Sequence, residues 1–297
     1  MKNKKILIYI IILVVLLIIL CYEINDIKKQ YDINQESANI IIKGENEKNE
    51  LESRYASLAR KYKNDTNTLK MENPYIPDGF KYIEGAWDTG YVIEDNNGNQ
   101  FVWVPCSGNE NNINFVKKYE FLKEDGQSHI EVTFEKNAQE FLESIYVNGG
   151  YYIARFETGI ENNKPVIKKD VNIYSEVNYK EAKKMAKEMY TNIKSDLINM
   201  YAYDIALNWC MNTKKENPEE IGKRVREKID EKFVTGVHEI NHIYDLLDCV
   251  WEWSTESYYE FNVARGIEMV DEPEVTRFPL KEEFVSENLT YRVIIYK

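Results

Sequence analysis

The sequence is poor in the residues on which disulfide and metal scaffolds are built. Its 297 residues include four cysteines, Cys21, Cys106, Cys210 and Cys249, and three histidines. Four cysteines are too few for a disulfide-dense secreted domain, and no CxxC or other zinc-ligand spacing relates them. The three beyond the apolar N-terminal run allow at most one intramolecular disulfide. We therefore expect buried thiols.

Positive charge is also scarce, and several catalytic motifs are missing. The chain has 38 Lys and Arg against 50 Asp and Glu, a formal net charge of −12. This balance excludes a nucleic-acid footprint for the chain as a whole. We find no glycine-rich phosphate loop, no nucleophile elbow and no Ser/His/Asp grouping in the sequence.

The N-terminus carries a long apolar run. Residues 6–22 are seventeen consecutive apolar residues or tyrosines, near the short end of what spans a bilayer as a helix. Lysines precede the run and acidic residues follow it, which predicts that the N-terminus is inside the cell and the remainder outside. We therefore predict that residues 1–22 are an uncleaved, single-pass anchor in the cell membrane, with an extracytoplasmic C-terminal domain.

Two other interpretations of the N-terminus stay open. A cleaved signal peptide would need a site of small residues, and none follows the apolar run. A lipoprotein would be modified at Cys21, but residues 18–20 are Ile-Ile-Leu, without the small residue that usually precedes the lipid-modified cysteine.

Residues 23–72 have the composition of a helical stalk. They are highly charged, contain no proline and hold one glycine, Gly44. A seam with 3-4 spacing is formed by Ile24, Ile27, Tyr31, Asn34, Ala38 and Ile41, and a second by Leu51, Tyr55, Leu58 and Tyr62. Such seams are typical of coiled coils, so the stalk could hold two copies of the chain together. The alternative is a solvated, partly helical spacer.

A domain of residues 73–297 follows, because two prolines and a glycine within residues 73–79 end the helix. Strands at residues 91–93 and 101–104 flank Asn96-Asn97-Gly98-Asn99, which predicts a hairpin. Residues 107–148 are a polar insertion, and residues 149–157 are a further strand.

Three helical segments are predicted in the middle of this domain. Asn178 and Glu181 form a capping-box pattern at the start of the first, which has an apolar stripe. The second begins at Ser195 and runs past Trp209. A third, charged segment extends from Asn217 to about Lys232.

Two tryptophans close together dominate residues 244–256. If residues 250–254 are extended, Trp251 and Trp253 point to one face, because side chains in a strand alternate. We predict that both belong to the core, together with Trp103 and Trp209. Glu252 would then lie on the opposite face, where a cation or polar partner could meet it; the alternative is a solvated carboxylate.

The same stretch resembles a known family. Tyr244-Asp245-Leu246 followed by Val250-Trp251-Glu252-Trp253-Ser254 is similar to the "YDLxGNVWEWT" signature of the formylglycine-generating enzymes, also called sulfatase-modifying factors. Weaker similarities to that family are found at Phe80, Trp103-Val104-Pro105, Gly149–Glu157, Tyr203-Asp204 with Trp209, Ala264-Arg265-Gly266, Arg277 and Tyr291–Ile295. The resemblance covers about residues 75–297 and implies an α+β domain with a C-type-lectin-like fold.

The resemblance also implies chemistry that this sequence lacks. The family's oxidase reaction uses two copper-binding cysteines near the C-terminus, and soft Cu(I) prefers such thiolates. No cysteine follows Cys249 here. We therefore predict a catalytically silent relative without a cofactor.

Calcium is the second point of difference from the family. The family's calcium site uses the Asn and Glu of GNVWEW, whereas this chain has Asp248 and Cys249 in place of Gly and Asn. Because a cysteine side chain offers no oxygen, we expect calcium binding to be lost or weak. The alternative is a shifted calcium site formed by Asp248 and Glu252.

His238-Glu239-Ile240-Asn241-His242 matches the HExxH pattern of zinc proteases. That pattern binds zinc when both histidines lie on one face of a helix. The surrounding sequence and the family resemblance place these residues in a loop instead. A zinc hydrolase using His238, Glu239 and His242 is therefore retained only as an alternative.

Ligand recognition is the function that remains. Tyr258, Tyr259 and Phe261 follow the tryptophan strand and Arg265 follows them, and aromatic and arginine side chains suit ligand contacts. The alternative is that they are ordinary core and surface residues. We predict a domain that binds a surface glycan, a peptide or a protein. The competing classes are a metal-dependent enzyme and a structural domain that only assembles with itself or with an envelope complex.

Overall fold

A computed structural model of the chain describes residues 68–106, 135, 138–214, 227–246, 250–269 and 272–297, with single positions before residue 68. The chain divides into two units, residues 1–47 and 48–297, and the fold described below belongs to the second. The predicted anchor, residues 1–22, and Cys21 lie outside the described residues. Within the described part of the chain, no helix combines the length and the apolar character needed to cross a membrane.

Little of the predicted stalk belongs to the described residues. Its described positions upstream of residue 68 are helical and exposed, namely Lys28, Asn46, Asn49, Glu50, Ser57 and Lys61. The coiled-coil pairing of the stalk therefore stays a prediction.

The folded domain is mixed α+β, as predicted, and mostly β. Its helices are α1 (Thr68–Glu72), α2 (Gln139–Asn148), α3 (Tyr179–Glu188) and α4 (Met200–Lys214). Its strands are β1 (Phe80–Glu84), β2 (Val92–Asp95), β3 (Gln100–Pro105), β4 (Gly150–Ala154), β5 (Gly159–Glu161), β6 (Lys164–Val166), β7 (Lys194–Leu197), β8 (Glu239–Ile240), β9 (Ile243–Tyr244), β10 (Trp251–Tyr258), β11 (Phe261–Met269), β12 (Glu272–Leu280), β13 (Leu289–Tyr291) and β14 (Val293–Tyr296).

Two sheets organise these elements. A six-stranded antiparallel sheet has the order β1-β2-β3-β4-β14-β7, so the closing strand lies between two strands from the middle of the chain. A four-stranded sheet has the order β12-β11-β10-β13, in which β10 and β13 are parallel and the other neighbours antiparallel. Of the last two strands, β13 therefore belongs to the four-stranded sheet and β14 to the six-stranded sheet.

The predicted hairpin between β2 and β3 is confirmed, and its turn is stabilised locally. Gly98 adopts φ +83°, a left-handed conformation that glycine accepts without steric cost. The Asp95 carboxylate accepts hydrogen bonds from the amides of Asn97 at 2.7 Å and Asn99 at 2.9 Å. A side chain that bonds its own turn in this way fixes the register of the two strands.

The helix that the capping box predicted is also confirmed. Asn178 Oδ1 accepts from the Glu181 amide at 3.0 Å, and the Glu181 carboxylate accepts from the Asn178 amide at 3.4 Å. Ala182 and Ala186 are buried on the apolar stripe of α3. The sequence pattern therefore defined both the start and the buried face of this helix.

The predicted start of the next helix was wrong. Ser195, Asp196 and Leu197 form strand β7, and α4 begins only at Met200. The reason is tertiary: residues 194–197 pair with β14, about a hundred residues further along the chain. Asn199, not Ser195, caps the helix, since its Oδ1 accepts from the Ala202 amide at 2.8 Å.

Two further expectations changed. The predicted charged helix does not reach Lys232, because residues 229–232 form a tight turn with left-handed Asp230 and Glu231; residues 215–226 lie outside the described part. The polar insertion ends in helix α2, while most of its earlier residues also lie outside the described part.

The core contains the predicted tryptophans. Trp103, Trp209 and Trp253 are buried, and Trp251 is half-buried against the apolar cluster that contains Trp253. Trp253 Nε1 donates to the Val177 carbonyl at 2.9 Å. The extended conformation predicted for residues 250–254 is confirmed over Trp251–Ser254 in β10. Cys106 and Cys210 are buried, as expected, and burial raises the pKa of Cys106.

Candidate functional site

Four buried charges meet where α4 packs against the four-stranded sheet. Arg265 donates to Asp204 at 2.6 Å and to Glu256 at 2.9 Å. Arg277 donates to the same two carboxylates, at 2.8 Å and 2.5 Å. Each arginine bridges both acids, and each acid bridges both arginines. The group of Asp204, Glu256, Arg265 and Arg277 is called the charged tetrad below.

The register of the sheet places two arginines side by side, so they require acidic partners. Arg265 and Arg277 are direct cross-strand partners on β11 and β12, an arrangement in which like charges repel. Burial by itself lowers the pKa of Arg265, but Asp204 and Glu256 raise it above its ordinary value. The two acids therefore neutralise two arginines that the sheet holds side by side. The Arg265 guanidinium also lies 4.2 Å from the centre of the Tyr203 ring, a cation–π contact.

Glu252 takes part in a second buried ion pair. Arg292 donates to its carboxylate through Nε at 2.9 Å and 3.0 Å and through Nη2 at 2.5 Å. Arg292 also donates to the carbonyls of Ala154 at 3.0 Å and Tyr244 at 2.9 Å. The predicted cation opposite Glu252 is thus Arg292, and the solvated-carboxylate alternative is wrong, because Glu252 is 1 % exposed.

These contacts bear on the calcium expectation. Both carboxylate oxygens of Glu252 accept hydrogen bonds from Arg292. Asp248 and Cys249 lie outside the described residues. The expected loss or weakening of calcium binding therefore stays a prediction, and a shifted site formed by Asp248 and Glu252 stays its alternative. Among the described residues, no group of three or more His, Cys, Asp or Glu side chains is arranged to hold a metal ion.

The HExxH residues form a hairpin and not a helix. Glu239 and Ile240 make β8, Ile243 and Tyr244 make β9, and the turn has left-handed Asn241 and His242 at φ +52° and +65°. The helical face on which a zinc protease places its two histidines is therefore not formed at this position. His242 Nδ1 lies 3.5 Å from the Glu239 carboxylate and 3.4 Å from Arg155 Nη2.

Asp245, within the segment that resembles the family signature, has a structural role as well. Its buried carboxylate accepts from three successive amides, those of Gly236 at 2.7 Å, Val237 at 3.1 Å and His238 at 2.7 Å. Its carboxylate stabilises the segment that leads into the β8–β9 hairpin, because it satisfies three backbone amides at once.

Gly266 follows Arg265 and allows β11 to approach the tryptophan strand. Its φ is +152°, and a Cβ at this position would lie 2.7 Å from Trp251 Cδ1. We expect Gly266→Ala to lower the free energy of unfolding by about 1–3 kcal/mol, as overpacking does. Urea denaturation followed by circular dichroism measures this. The double variant Gly266→Ala/Trp251→Ala should lose less free energy of unfolding than the two single variants together. Additive losses would contradict the steric explanation.

The predicted ligand-binding residues fall into two places. Tyr258 pairs with Phe261 at the end of the β10–β11 hairpin, and Tyr259 and Glu260 form its turn. Tyr258, Tyr259 and Phe261 are half-buried, and the rings of Tyr258 and Tyr259 lie 4.4 Å apart. We call these three residues the aromatic tip. Arg265, in contrast, is 0 % exposed and belongs to the charged tetrad.

Tyr259 occupies a strained position at the aromatic tip. Its φ is +52°, a left-handed conformation that two-residue hairpins usually give to glycine or asparagine. Such strain costs about 1–3 kcal/mol and is found preferentially at functional sites. Nine other non-glycine residues of the described part share a positive φ, so this strain by itself assigns no role to the tip.

An open groove beside the six-stranded sheet was missed by the sequence analysis. It has a volume of about 460 Å³ and lies at the edge strand β7. Its lining comes from three stretches of the chain, with eight of its ten residues between positions 187 and 196, and consists of Glu140, Lys187, Tyr190, Thr191, Asn192, Ile193, Lys194, Ser195, Asp196 and Tyr296. No sequence signal could have located it, because only the pairing of β7 with β14 brings these segments together.

No family model, no curated protein and no solved structure matches this chain. The class of protein is therefore defined by its geometry: a mostly β α+β domain with a charged, ion-paired interior, an aromatic hairpin tip and a polar surface groove.

Proposed function

We propose that this chain is a membrane-anchored binding protein. In this proposal residues 1–22 anchor it, residues 23–72 form a stalk, and residues 73–297 form a C-type-lectin-like domain of the formylglycine-generating-enzyme type outside the cell. The domain recognises a surface glycan, a peptide or a protein and does not catalyse a reaction.

One observation carries the proposal. Four charged residues of the segments that resemble the family, Glu252, Arg265, Arg277 and Arg292, are buried and form ion pairs with one another or with Asp204 and Glu256. Residues from distant parts of the sequence thus meet in two ion-pair groups. This supports a structural framework in common with the resembled family. Their charges are used to hold strands together, which leaves recognition to surface features such as the aromatic tip.

The sequence adds a chemical argument against oxidase activity. Copper in the resembled family is held by two thiolates near the C-terminus, and this chain has no cysteine after Cys249. Cys106 and Cys210, the described cysteines, are buried. A binding role keeps the framework and does not need the missing thiolates.

The proposal is tested with the full chain purified in detergent and applied to glycan and peptide arrays and to envelope extracts. We expect retention of a specific ligand or partner. A folded, oligomeric chain that retains nothing would favour the structural class. Activity that depends on added copper or zinc would favour the enzymatic class.

The aromatic tip gives a sharper prediction. We expect the double variant Tyr258→Ala/Tyr259→Gly to weaken binding of the retained ligand at least about tenfold, since aromatic anchors dominate contact energies. Glycine accepts the left-handed φ at position 259, so the fold should persist. Titration calorimetry and thermal melting measure the two effects.

A matched control for the tip is Tyr82→Ala, which removes a tyrosine that is 47 % exposed on edge strand β1. It should leave ligand affinity unchanged. Equal losses of affinity in Tyr82→Ala and in the double variant, or an unchanged affinity in the double variant, would show that the tip does not contact the ligand.

A further inference from the structure

The groove at β7 has the construction of a small-ligand site. Its volume of about 460 Å³ falls within the range of about 300–1,000 Å³ found for such sites. Tyr296 and Ser195 are buried and Tyr190 and Ile193 are half-buried, whereas Thr191, Asn192 and Lys194 are exposed at the rim. The groove therefore combines a partly aromatic floor with a polar, solvent-accessible margin.

Asp196 provides an acceptor inside this groove. Its Oδ1 accepts from the Leu197 amide at 2.8 Å, while its Oδ2 lies 3.6 Å from Lys187 Nζ, beyond hydrogen-bond distance. The side chain is only 24 % exposed. The carboxylate is partly desolvated, and its Oδ2 faces Lys187 only across the longer distance. Such a group favours a ligand that donates hydrogen bonds.

The charges around the groove select against charged ligands. Two lysines and two acids line it, and they are paired as Lys194 with Glu140 and Lys187 with Asp196. The four charges sum to zero, since two are positive and two are negative. A charged ligand would be attracted by one member of each ion pair and repelled by the other, so its charge gains little net attraction. Neutral hydroxyl groups can bond to both signs without repulsion.

An added peptide strand fits the groove poorly, although β7 is an edge strand. The Leu197 amide is already bonded to Asp196. The Ser195 hydroxyl donates to the Lys187 carbonyl at 3.3 Å and accepts from the Tyr190 amide at 3.3 Å. These contacts tie α3 and the segment after it to the outer side of β7, where a peptide strand would have to pair.

We infer that this groove binds a neutral oligosaccharide, whose hydroxyl groups donate to Asp196 and whose ring packs against the tyrosines of the floor. This site is separate from the aromatic tip, since none of Tyr258, Tyr259 and Phe261 lines it. The inference rests on the proposed glycan recognition and adds to it a second site with a neutral ligand. Failure of the trisaccharides to bind overturns this site and leaves binding at the aromatic tip intact.

The test is titration calorimetry of the full chain with neutral trisaccharides: cellotriose, maltotriose and triacetylchitotriose. Deacetylated chitotriose and trigalacturonate serve as the cationic and anionic counterparts. We expect at least one neutral trisaccharide to bind, and both charged probes to bind at least tenfold more weakly. No binding of any neutral probe, or equal binding of a charged one, overturns the inference.

Two variants test whether the ligand binds in the groove. Asp196→Asn should weaken binding at least tenfold, and Thr191→Trp, at an exposed rim position, should abolish it by filling the groove. Asp88→Asn, which alters an exposed carboxylate elsewhere, should leave it unchanged. Unchanged affinity in both groove variants overturns the proposed site.

The Asp196 variant is expected to fold. Burial raises the pKa of Asp196 above its ordinary value, with Lys187 acting in the opposite direction. A carboxyl group whose pKa is raised on folding makes the folded state less stable as the pH rises through that pKa, and an amide in its place does not. Asp196→Asn should therefore keep the fold, which thermal melting checks. Weaker binding at a preserved melting temperature isolates the ligand contact. If Asp196→Asn lowers the melting temperature, Thr191→Trp decides instead, and unchanged affinity in that variant overturns the site.

Discussion

Replacing Arg265 with alanine is expected to destabilise the domain by about 3–5 kcal/mol, because removing one partner of a buried ion pair leaves an uncompensated charge. Asp204 and Glu256 would each lose one of the two arginines that they bridge, and both carboxylates are 0 % exposed. Water cannot replace the lost donors without opening the contact between α4 and the sheet. Urea denaturation of the full chain, followed by circular dichroism and by tryptophan fluorescence, measures the loss.

A matched control separates buried from exposed charge. Lys180→Ala removes a cation whose side chain is 83 % exposed and whose ion pair with Glu282 spans 3.4 Å. Surface pairs of this kind contribute about 0–1 kcal/mol. The double variant Arg265→Ala/Glu256→Ala should cost less than the sum of its single variants, since both members of a pair are removed. Strict additivity, or equal losses in Arg265→Ala and Lys180→Ala, would refute the tetrad as a buried framework.

Trp253→Ala should cause the second large loss, about 3–5 kcal/mol, as is usual when a buried aromatic is truncated. The Trp253 ring is 0 % exposed, and its centre lies 5.7 Å from that of Tyr179 in an edge-to-face arrangement. Its Nε1 also satisfies the Val177 carbonyl at 2.9 Å. Truncation therefore leaves both a cavity and a buried acceptor without its partner. Equilibrium unfolding in urea measures the effect.

Trp251→Ala provides the comparison, because the two indoles lie on the same strand with different burial. Trp251 is half-buried and stacks on Phe278 with ring centres 4.6 Å apart. We expect a loss clearly smaller than that of Trp253→Ala, since less apolar area leaves water. Equal losses would mean that the two indoles contribute equally to the core, contrary to their exposure.

The charged interior explains why recognition is assigned to the surface. Arginines at 265 and 277 face each other across two strands, and Arg292 reaches Glu252 in the strand that carries both indoles. Substituting any of them disturbs packing before it changes a ligand contact. Residues of the aromatic tip and of the groove rim can be altered with less effect on the core, so they are the appropriate positions for binding studies.

Local features of the fold were determined by the sequence. The Asn96–Asn99 turn, the Asn178 capping box and the extended tryptophan strand each depend on a few neighbouring residues, and all three are present. The physical reason is that turn dihedrals, helix caps and strand alternation are set by contacts within about five residues along the chain.

Tertiary structure alone decided the remainder. Ser195–Leu197 had the pattern of a helix start but became a strand through pairing with β14. Arg265 was placed in the interior by its register with Arg277 and by Asp204 on a distant helix. The groove exists only because Glu140 and Tyr296 meet the stretch of residues 187–196 at one sheet edge. Pairings of this kind depend on which distant strands become neighbours, and no short stretch of sequence encodes that choice.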